Sequence, residues 1–351
     1  MLFRSALHAL ARDFTICDRW HASVPGPTWA NRFFILSGTS KGRVKMPEGL
    51  AHLNLHLYDQ VTIFDRLNEV RVHWKVYFHD FPVSWTLLHQ LEPHNAARYF
   101  PINQFYKDAQ GDAANLPPFC FIEPRYNGQD QNDDHPAHDI MKAQKLIADV
   151  YNALRANAGL WNSTLLVIIY DEHGGFFDHV PPPEGIPQSV PPDDHQEEYT
   201  FDRLGVRVPA LLVSPWADRK VEHTLFDHTS LLKYLTEKWS LGTLGRRTQA
   251  ANSIGPALRT SGEPRPDGVA KIELTPDQQR PPDAAVEKET VGILNALHRS
   301  IVALGQYLKT QVDLEAPKVL SRLARVLMWL KRRWVGFCKR FARFPDQYEI
   351  L

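Results

Sequence analysis

The stretch DEHGGFFDH, residues 171–179, carries more potential chemistry than any other and directly follows the apolar run TLLVIIY. It begins with adjacent carboxylates, Asp171 and Glu172, which can both stay ionised in a crevice only beside a cation or several hydrogen-bond donors. Such oxygen ligands suit Mg, Ca or Mn, and the neighbouring imidazoles would favour a transition metal. The alternative is a solvated turn in which two glycines make the bend. The stretch alone leaves both interpretations open.

A candidate nucleophile lies in SVPGPTWANRFF, residues 23–34. The prolines on either side of Gly26 keep the chain out of a helix, so that Thr28 is predicted at or near the N-cap of the next helix. Free N–H groups and the helix dipole make such a position favourable for phosphate. A metal-bound Thr28 oxygen could attack phosphorus and give a phosphothreonine that water hydrolyses. A simple capping threonine is the alternative.

Two further polar stretches contain histidines. QNDDHPAHDI, residues 131–140, opens a predicted helix; His135 could act there as a general acid or a ligand, and the acids could instead cap the helix. In FDHTS, residues 226–230, the aspartate or threonine could cap a helix. His228 could then point into a cleft. The spacing alone favours no particular role for this histidine.

The elements that must position these residues alternate between strands and amphipathic helices. An apolar-periodic helix at 137–156 precedes the nearly continuous apolar strand STLLVIIYDE, and the strand VPALLVSPW precedes a helix at 228–239. Continuous apolar strands are expected where both faces of a parallel sheet are covered. The pattern predicts an α/β domain with a mostly parallel, doubly wound sheet, whose ligands bind outside the carboxyl ends of the strands.

Composition narrows the class of protein. The 351 residues contain 40 basic and 40 acidic side chains and three scattered cysteines, which argues against a nucleic-acid partner and against a disulfide framework. Charged residues interrupt the N-terminal segment, and no run approaches the ~20 apolar residues of a membrane span, so we expect neither signal peptide nor span and a cytoplasmic location by default.

Three segments are predicted: a domain over 1–254, a Pro- and Gly-rich linker or surface excursion over 255–284, and a helical extension over 285–351. Within the extension, 317–344 reads as a basic amphipathic helix with an aromatic face. It could lie on an anionic membrane as a peripheral contact. It could equally dock on the domain or pair with a copy of itself.

Taken in order, these stretches resemble the phosphoesterase family that contains non-specific phospholipases C and bacterial acid phosphatases. The most specific are SVPGPTWANRFF and YDEHGGFFDHVPPP, and the resemblance extends to about residue 260. It implies an alkaline-phosphatase-like three-layer α/β/α fold and metal-dependent hydrolysis of phosphate mono- or diesters. The residues that it implies are Thr28 as nucleophile and Asp171 and Glu172 on a divalent metal of unknown identity. It also implies two catalytic histidines, His135 as the acid for the leaving group and His228 in an Asp-His-Thr motif.

We therefore expect a phospholipase C or acid phosphatase type of reaction, with Asn31 and the amides after Thr28 holding phosphoryl oxygens. Two departures qualify this expectation: Ala30 replaces the proline of the family's TxPNR motif, and nothing like its metal-binding ENRSFDH segment occurs in the sequence. The domain is thus expected to be N-terminally incomplete. The competing hypothesis is a catalytically impaired member that works as a binding or membrane-associated module.

Overall fold

The computed structural model describes residues 2–3, 5–47, 58–128, 130–136, 138–185, 199–274, 303, 306 and 307. Within them every helix except α9 begins after a capping side chain or beside a proline. The longest, α6, begins after Asp139, and α3 begins after Thr62 with a capping box. The helices are α1 (Ala6–Asp13), α2 (Thr28–Ser37), α3 (Ile63–Glu69), α4 (Pro93–Ala96), α5 (Ile102–Gln110), α6 (Ile140–Arg155), α7 (Ala158–Trp161), α8 (His228–Trp239) and α9 (Gly245–Ala250).

The strands are short and apolar. They are β1 (Leu2–Phe3), β2 (Thr15–Cys17), β3 (Trp20–His21), β4 (Trp74–Phe78), β5 (Tyr99–Pro101), β6 (Phe119–Glu123), β7 (Leu166–Ile169), β8 (Ala210–Val213), β9 (Val221–Glu222), β10 (Phe226–Asp227) and β11 (Glu273–Leu274).

The strands form two main sheets, in the orders β5-β4-β6 and β7-β8-β2-β9. In the first sheet all pairs are parallel, with Val76 of β4 opposite Phe121 of β6. In the second, β2 and β9 are parallel, whereas β8 runs antiparallel to both of its neighbours. Two parallel pairs, β1-β11 and β3-β10, lie outside these sheets.

Helices cover both faces of the sheets. Tyr77 of β4 and Leu211 of β8 pack in one core with α1, α5 and α6. On the opposite face, Trp74 and Val76 of β4 pack in a second core with α2, α3 and α8. The alternation of side chains along the strands therefore separates two helical layers, and the predicted three-layer α/β/α fold with a mostly parallel sheet is confirmed.

The expectation drawn from the continuous apolar run of β7 was wrong in one respect. β7 is not flanked by parallel strands within the described residues, because its one partner is the antiparallel β8. Its side chains are half-buried rather than fully covered. Side chains of β6 also pack in both cores, and all except Glu123 are half-buried. A continuous apolar run indicates that both faces of a strand pack against other elements. It does not indicate whether the neighbouring strands run parallel or antiparallel to it.

The described part of the Pro- and Gly-rich segment is held against the domain. Ile272 is buried, and its backbone N–H and C=O bond to the side chain of Asn152. Beyond it, β11 pairs with β1. The predicted extension 285–351, including the basic segment 317–344, lies outside the described residues apart from 303, 306 and 307.

Among the described residues no helix combines the length and the apolar character that crossing a bilayer requires.

Gly38 ends α2 in the left-handed region, with φ of 72°. A Cβ atom there would lie 2.0 Å from the carbonyl oxygen of Leu244. We predict that Gly38→Ala lowers the free energy of unfolding by about 3 kcal/mol, from backbone strain together with this clash. Urea denaturation measures the change.

Gly262 is the matched control, since its φ is 88° and a Cβ would meet nothing within 4 Å. Gly262→Ala should cost only about 1 kcal/mol. Equal losses in the two variants would show that the contact between α2 and Leu244 is not tight.

Candidate active site

The site forms around Arg32, which projects from α2 toward the carboxyl ends of β6 and β7. Its Nε donates to Asp171 Oδ2 at 2.7 Å, and its Nη1 donates to Glu123 Oε2 at 3.2 Å and to the hydroxyl of Tyr126. The guanidinium side chain is only 15% exposed. Burial alone would lower the pKa of Arg32, but the phenol oxygen of Tyr126 and the two carboxylates raise it above its usual range, so the group stays charged.

Glu123 is a member of the site that the sequence reasoning missed. It ends β6 and is fully buried. Its carboxylate accepts hydrogen bonds from the N–H groups of Val83 and Ser84, at 2.9 and 3.0 Å, and from the hydroxyl of Tyr126 at 2.9 Å. The two N–H donors come from the start of a short 3-10 helix, Val83–Thr86. The available signal was an acid at the carboxyl end of the apolar strand PPFCFIEP, where ligands collect in an α/β sheet.

Asp171 and Glu172, the predicted metal pair, are held by different groups. Asp171 Oδ2 bonds to Arg32, and its Oδ1 accepts from the Glu172 N–H at 3.0 Å. Glu172 turns toward its own loop, where Oε2 accepts from the Gly174 N–H at 2.6 Å. Burial, followed by repulsion from Asp171, raises the pKa of Glu172. The two carboxylates therefore do not share a partner.

His228 is buried at the first position of α8, behind Asp171, rather than pointing into a cleft. Trp20 Nε1 donates to His228 Nδ1 at 3.3 Å, which leaves the proton on Nε2. Nε2 lies 2.7 Å from the backbone oxygen of Asp171 and donates to it. Burial lowers the pKa of His228, so the ring is neutral and fixes the backbone that carries Asp171.

Thr28 is the first residue of α2, directly after Pro27 at the N-cap, and only 4% of its surface is exposed. No side chain caps this end of the helix. Among the described residues we find no hydrogen bond made by the Thr28 hydroxyl. Thr28 and Arg32 are four residues apart on one face of α2, which places their Cβ atoms about 6 Å apart.

Asn31 fixes the loop that presents Thr28. Its Oδ1 accepts from the Val24 N–H at 3.0 Å, and its Nδ2 donates to the oxygens of Val24 and Gly26 at 3.2 and 2.9 Å. The side chain is fully buried. Its predicted contact with phosphoryl oxygens stays a prediction, whereas the contacts in the structure are those of a loop anchor.

His135 lies on a loop that packs against the Asp171 loop. A Cβ atom on Gly174 would lie 2.7 Å from Pro136 Cγ, so the two loops touch where φ of Gly174 is 64°. His135 is close enough to lower the pKa of Glu172 as a minor contribution. Its Nδ1 is 3.0 Å from the backbone oxygen of Pro136. The structure thus brings His135 to the side of the site occupied by Glu172.

The residues present do not fit the divalent metal that the resemblance implies. Within the described ranges no three His, Cys, Asp or Glu side chains converge on a point where they could hold an ion. Both oxygens of Asp171 and one oxygen of Glu172 already accept N–H donors from the chain. The positive charge next to Asp171 is supplied by Arg32.

Comparison with known proteins supplies the family. A model of the phosphoesterase family matches residues 4–242. Non-specific phospholipase C6 of Arabidopsis thaliana is 39% identical over 258 residues, which are 67% of this chain and 47% of that protein. Phospholipase C B of Mycobacterium tuberculosis is 30% identical over 291 residues, 71% of this chain and 55% of that protein. The chain thus spans about half the length of these relatives.

Similarity to solved structures is looser. A protein of the alkaline phosphatase superfamily from Vibrio parahaemolyticus superposes with a TM-score of 0.41 at 12% identity, covering 72% of this chain and 66% of that one.

The neutral, buried His228 should make the free energy of unfolding depend on pH. Its pKa is lowered in the folded protein, so below the ordinary value of about 6.5 the unfolded chain binds the extra proton and stability falls with pH. The expected slope is about 1.4 kcal/mol per pH unit from this group. Gln can keep a donor and an acceptor here, so His228→Gln should remove that part of the slope in urea unfolding between about pH 7 and pH 5.

His8, an exposed residue of α1, provides the control for replacing a histidine. His8→Gln should not produce the loss of slope expected in His228→Gln. An unchanged slope in His228→Gln would show that His228 is not held neutral.

Proposed function

The chain belongs to the phosphoesterase family, and from this premise we propose that it hydrolyses phosphate esters, phospholipids among them, through the hydroxyl of Thr28. The observation that carries the proposal is the position of Thr28 at the start of α2, one helical turn before Arg32. A hydroxyl, the positive end of a helix and a guanidinium are thereby available to one phosphoryl group. The names of the relatives support a phospholipase C type of reaction.

The proposed reaction has two displacements. Thr28 Oγ1 forms a bond to phosphorus as its proton passes to a phosphoryl oxygen, the bond from phosphorus to the alcohol oxygen breaks, and His135 gives that oxygen a proton. Water then attacks phosphorus and gives a proton to His135, while the bond from phosphorus to Thr28 Oγ1 breaks and Oγ1 takes back the proton held on the phosphoryl oxygen. The N–H groups at the start of α2 and the charge of Arg32 offset the negative charge that develops on the phosphoryl oxygens.

The remaining site residues act by positioning. Asn31 holds the loop before Thr28, and His228 holds the backbone of Asp171. Asp171 in turn orients Arg32. The resemblance assigns activation of Thr28 to a divalent metal, but because Asp171 is already bonded to Arg32, no step of this reaction passes through one.

An exposed aromatic pair favours phospholipid as the substrate class. Phe176 and Phe177, five and six residues after Asp171, are 70% and 92% exposed. Ile140, at the start of α6 beyond the His135 loop, is 62% exposed. Large apolar side chains at the rim of a site would gain about 1.5–3 kcal/mol each on entering the apolar part of a lipid surface. The predicted membrane contact through 317–344 stays a prediction from sequence.

We predict that Thr28→Ala lowers kcat for p-nitrophenyl phosphate and phosphatidylcholine at least about a thousandfold, because the nucleophile is lost. Thr28→Ser should retain activity, since it keeps the hydroxyl. Acid quenching with labelled substrate should trap phosphate on the wild type and not on Thr28→Ala.

Thr224→Ala is the control for the loss of a threonine hydroxyl, because the one partner of the Thr224 side chain among the described residues is Glu222. Full activity in Thr28→Ala would refute the mechanism. An inactive wild type that still binds phospholipid vesicles would favour the alternative, a binding or membrane-associated module without efficient hydrolysis.

The aromatic pair gives a second prediction. The double variant Phe176→Ser/Phe177→Ser should hydrolyse phosphatidylcholine in vesicles at least about tenfold more slowly, because it loses apolar contact with the lipid surface. Its rate on soluble p-nitrophenylphosphorylcholine should be unchanged. Val70→Ser is the control for an exposed apolar residue on another element. Equal losses on both substrates would show that the pair supports the site rather than contacts lipid.

A further inference from the structure

The disagreement between the implied metal and the residues around Asp171 has a specific structural cause. Arg32 contributes two N–H groups to two carboxylates that come from different strands, Asp171 after β7 and Glu123 at the end of β6. The Asp171 oxygen nearest to the guanidinium is at 2.7 Å, the distance of a strong charge-assisted hydrogen bond. A divalent ion would compete with the guanidinium for the same carboxylate oxygens.

Arg32 is also firmly held. Its side chain is only 15% exposed, and Tyr126 accepts a further hydrogen bond from Nη1. Glu123, fully buried, cannot follow a displaced guanidinium into solvent because Val83 and Ser84 hold it. Separating the pair would therefore leave buried charge without a partner, and such separations are costly.

We propose that Arg32 is the resident cation of this site and excludes divalent metal ions from Asp171. An ion at Asp171 would have to share its two oxygens with Arg32 Nε and the Glu172 N–H, or break the bond from Arg32 Nε. Repulsion between the guanidinium and an ion a few ångströms away opposes binding even before that bond breaks. In the described fold, the charge that the resemblance assigns to a metal belongs instead to a side chain of the protein.

The test is metal binding, which does not depend on catalytic activity. In chelator-treated wild type, Mn²⁺ followed by electron paramagnetic resonance should show no saturable site at Asp171. Arg32→Gln leaves Asp171 and Glu123 without their cation and should bind Mn²⁺ at least about tenfold more tightly. Arg66→Gln, which removes the surface pair with Glu69, is the matched control and should bind as the wild type does.

A double variant locates the gained binding. Arg32→Gln/Asp171→Asn should lose the increase, because the ligand oxygen is replaced by an amide. If Mn²⁺ binds equally to the wild type and to Arg32→Gln, or if the gain survives Asp171→Asn, the proposal is overturned.

A measurement on the wild type covers the case in which Arg32→Gln does not fold. The Arg32 Nε–H proton, bonded to a carboxylate, should give a slowly exchanging resonance that is absent from Arg32→Lys. Millimolar Ca²⁺ should leave this resonance unchanged. Its loss on stoichiometric binding of Ca²⁺ would show that the ion displaces the guanidinium, and would equally overturn the proposal.

Because these readouts follow ions and one proton, they separate this proposal from the proposed reaction. A protein without any hydrolytic activity could still exclude Mn²⁺ through Arg32, and an active one could admit it.

Discussion

A buried guanidinium joins three elements of this fold that are distant in sequence. Arg32 on α2 bonds to Glu123 at the end of β6 and to Asp171 after β7, so that one side chain connects the edges of both main sheets. None of these charges is well solvated, and each would be costly to bury alone. The buried cluster is stabilised because Val83, Ser84 and Tyr126 donate further hydrogen bonds to the carboxylate of Glu123.

The hydrogen bonds of Arg32 also fix the position of the proposed nucleophile, Thr28. α2 cannot rotate without breaking the Arg32 bonds, and Gly38 seats its other end against Leu244. The loop before Thr28 is fixed separately by the side-chain amide of Asn31. Behind Asp171, the neutral His228 accepts a hydrogen bond from Trp20 and donates one to the backbone oxygen of Asp171, and it thereby holds Asp171 in place. Thr28 is thus positioned by side chains that do not themselves need to touch a phosphate ester.

The sequence predicted the elements well, because their signals are local. The start of α8 after Asp227, the start of α6 after Asp139 and the apolar strands all depend on neighbours within a few residues. The placement of Thr28 at the start of a helix depended in the same way on the prolines before it. The three-layer fold followed from the alternation of these elements and from the family resemblance.

The partners of the site residues could not be predicted, because they are decided by tertiary contacts. Nothing near Arg32 in sequence indicates that it lies between Asp171 and Glu123, which are 139 and 91 residues away. His228 was grouped with the active-site histidines by its motif, and only the packing reveals that Trp20 and a backbone oxygen occupy both ring nitrogens. Adjacent carboxylates such as Asp171 and Glu172 can face different partners, which spacing does not disclose.

The strands nearest the N-terminus all pair with strands that are made much later. Trp20 lies opposite Phe226, Thr15 opposite Leu212, and Leu2 opposite Glu273. On a ribosome adding about 5–20 residues per second, separations of roughly 200 to 270 residues leave these strands without partners for about 10 to 54 s. The sheet β7-β8-β2-β9 can therefore close only late in synthesis, whereas β5-β4-β6 can form from a continuous stretch well before that. The half of the site contributed by Glu123 exists before the half contributed by Asp171.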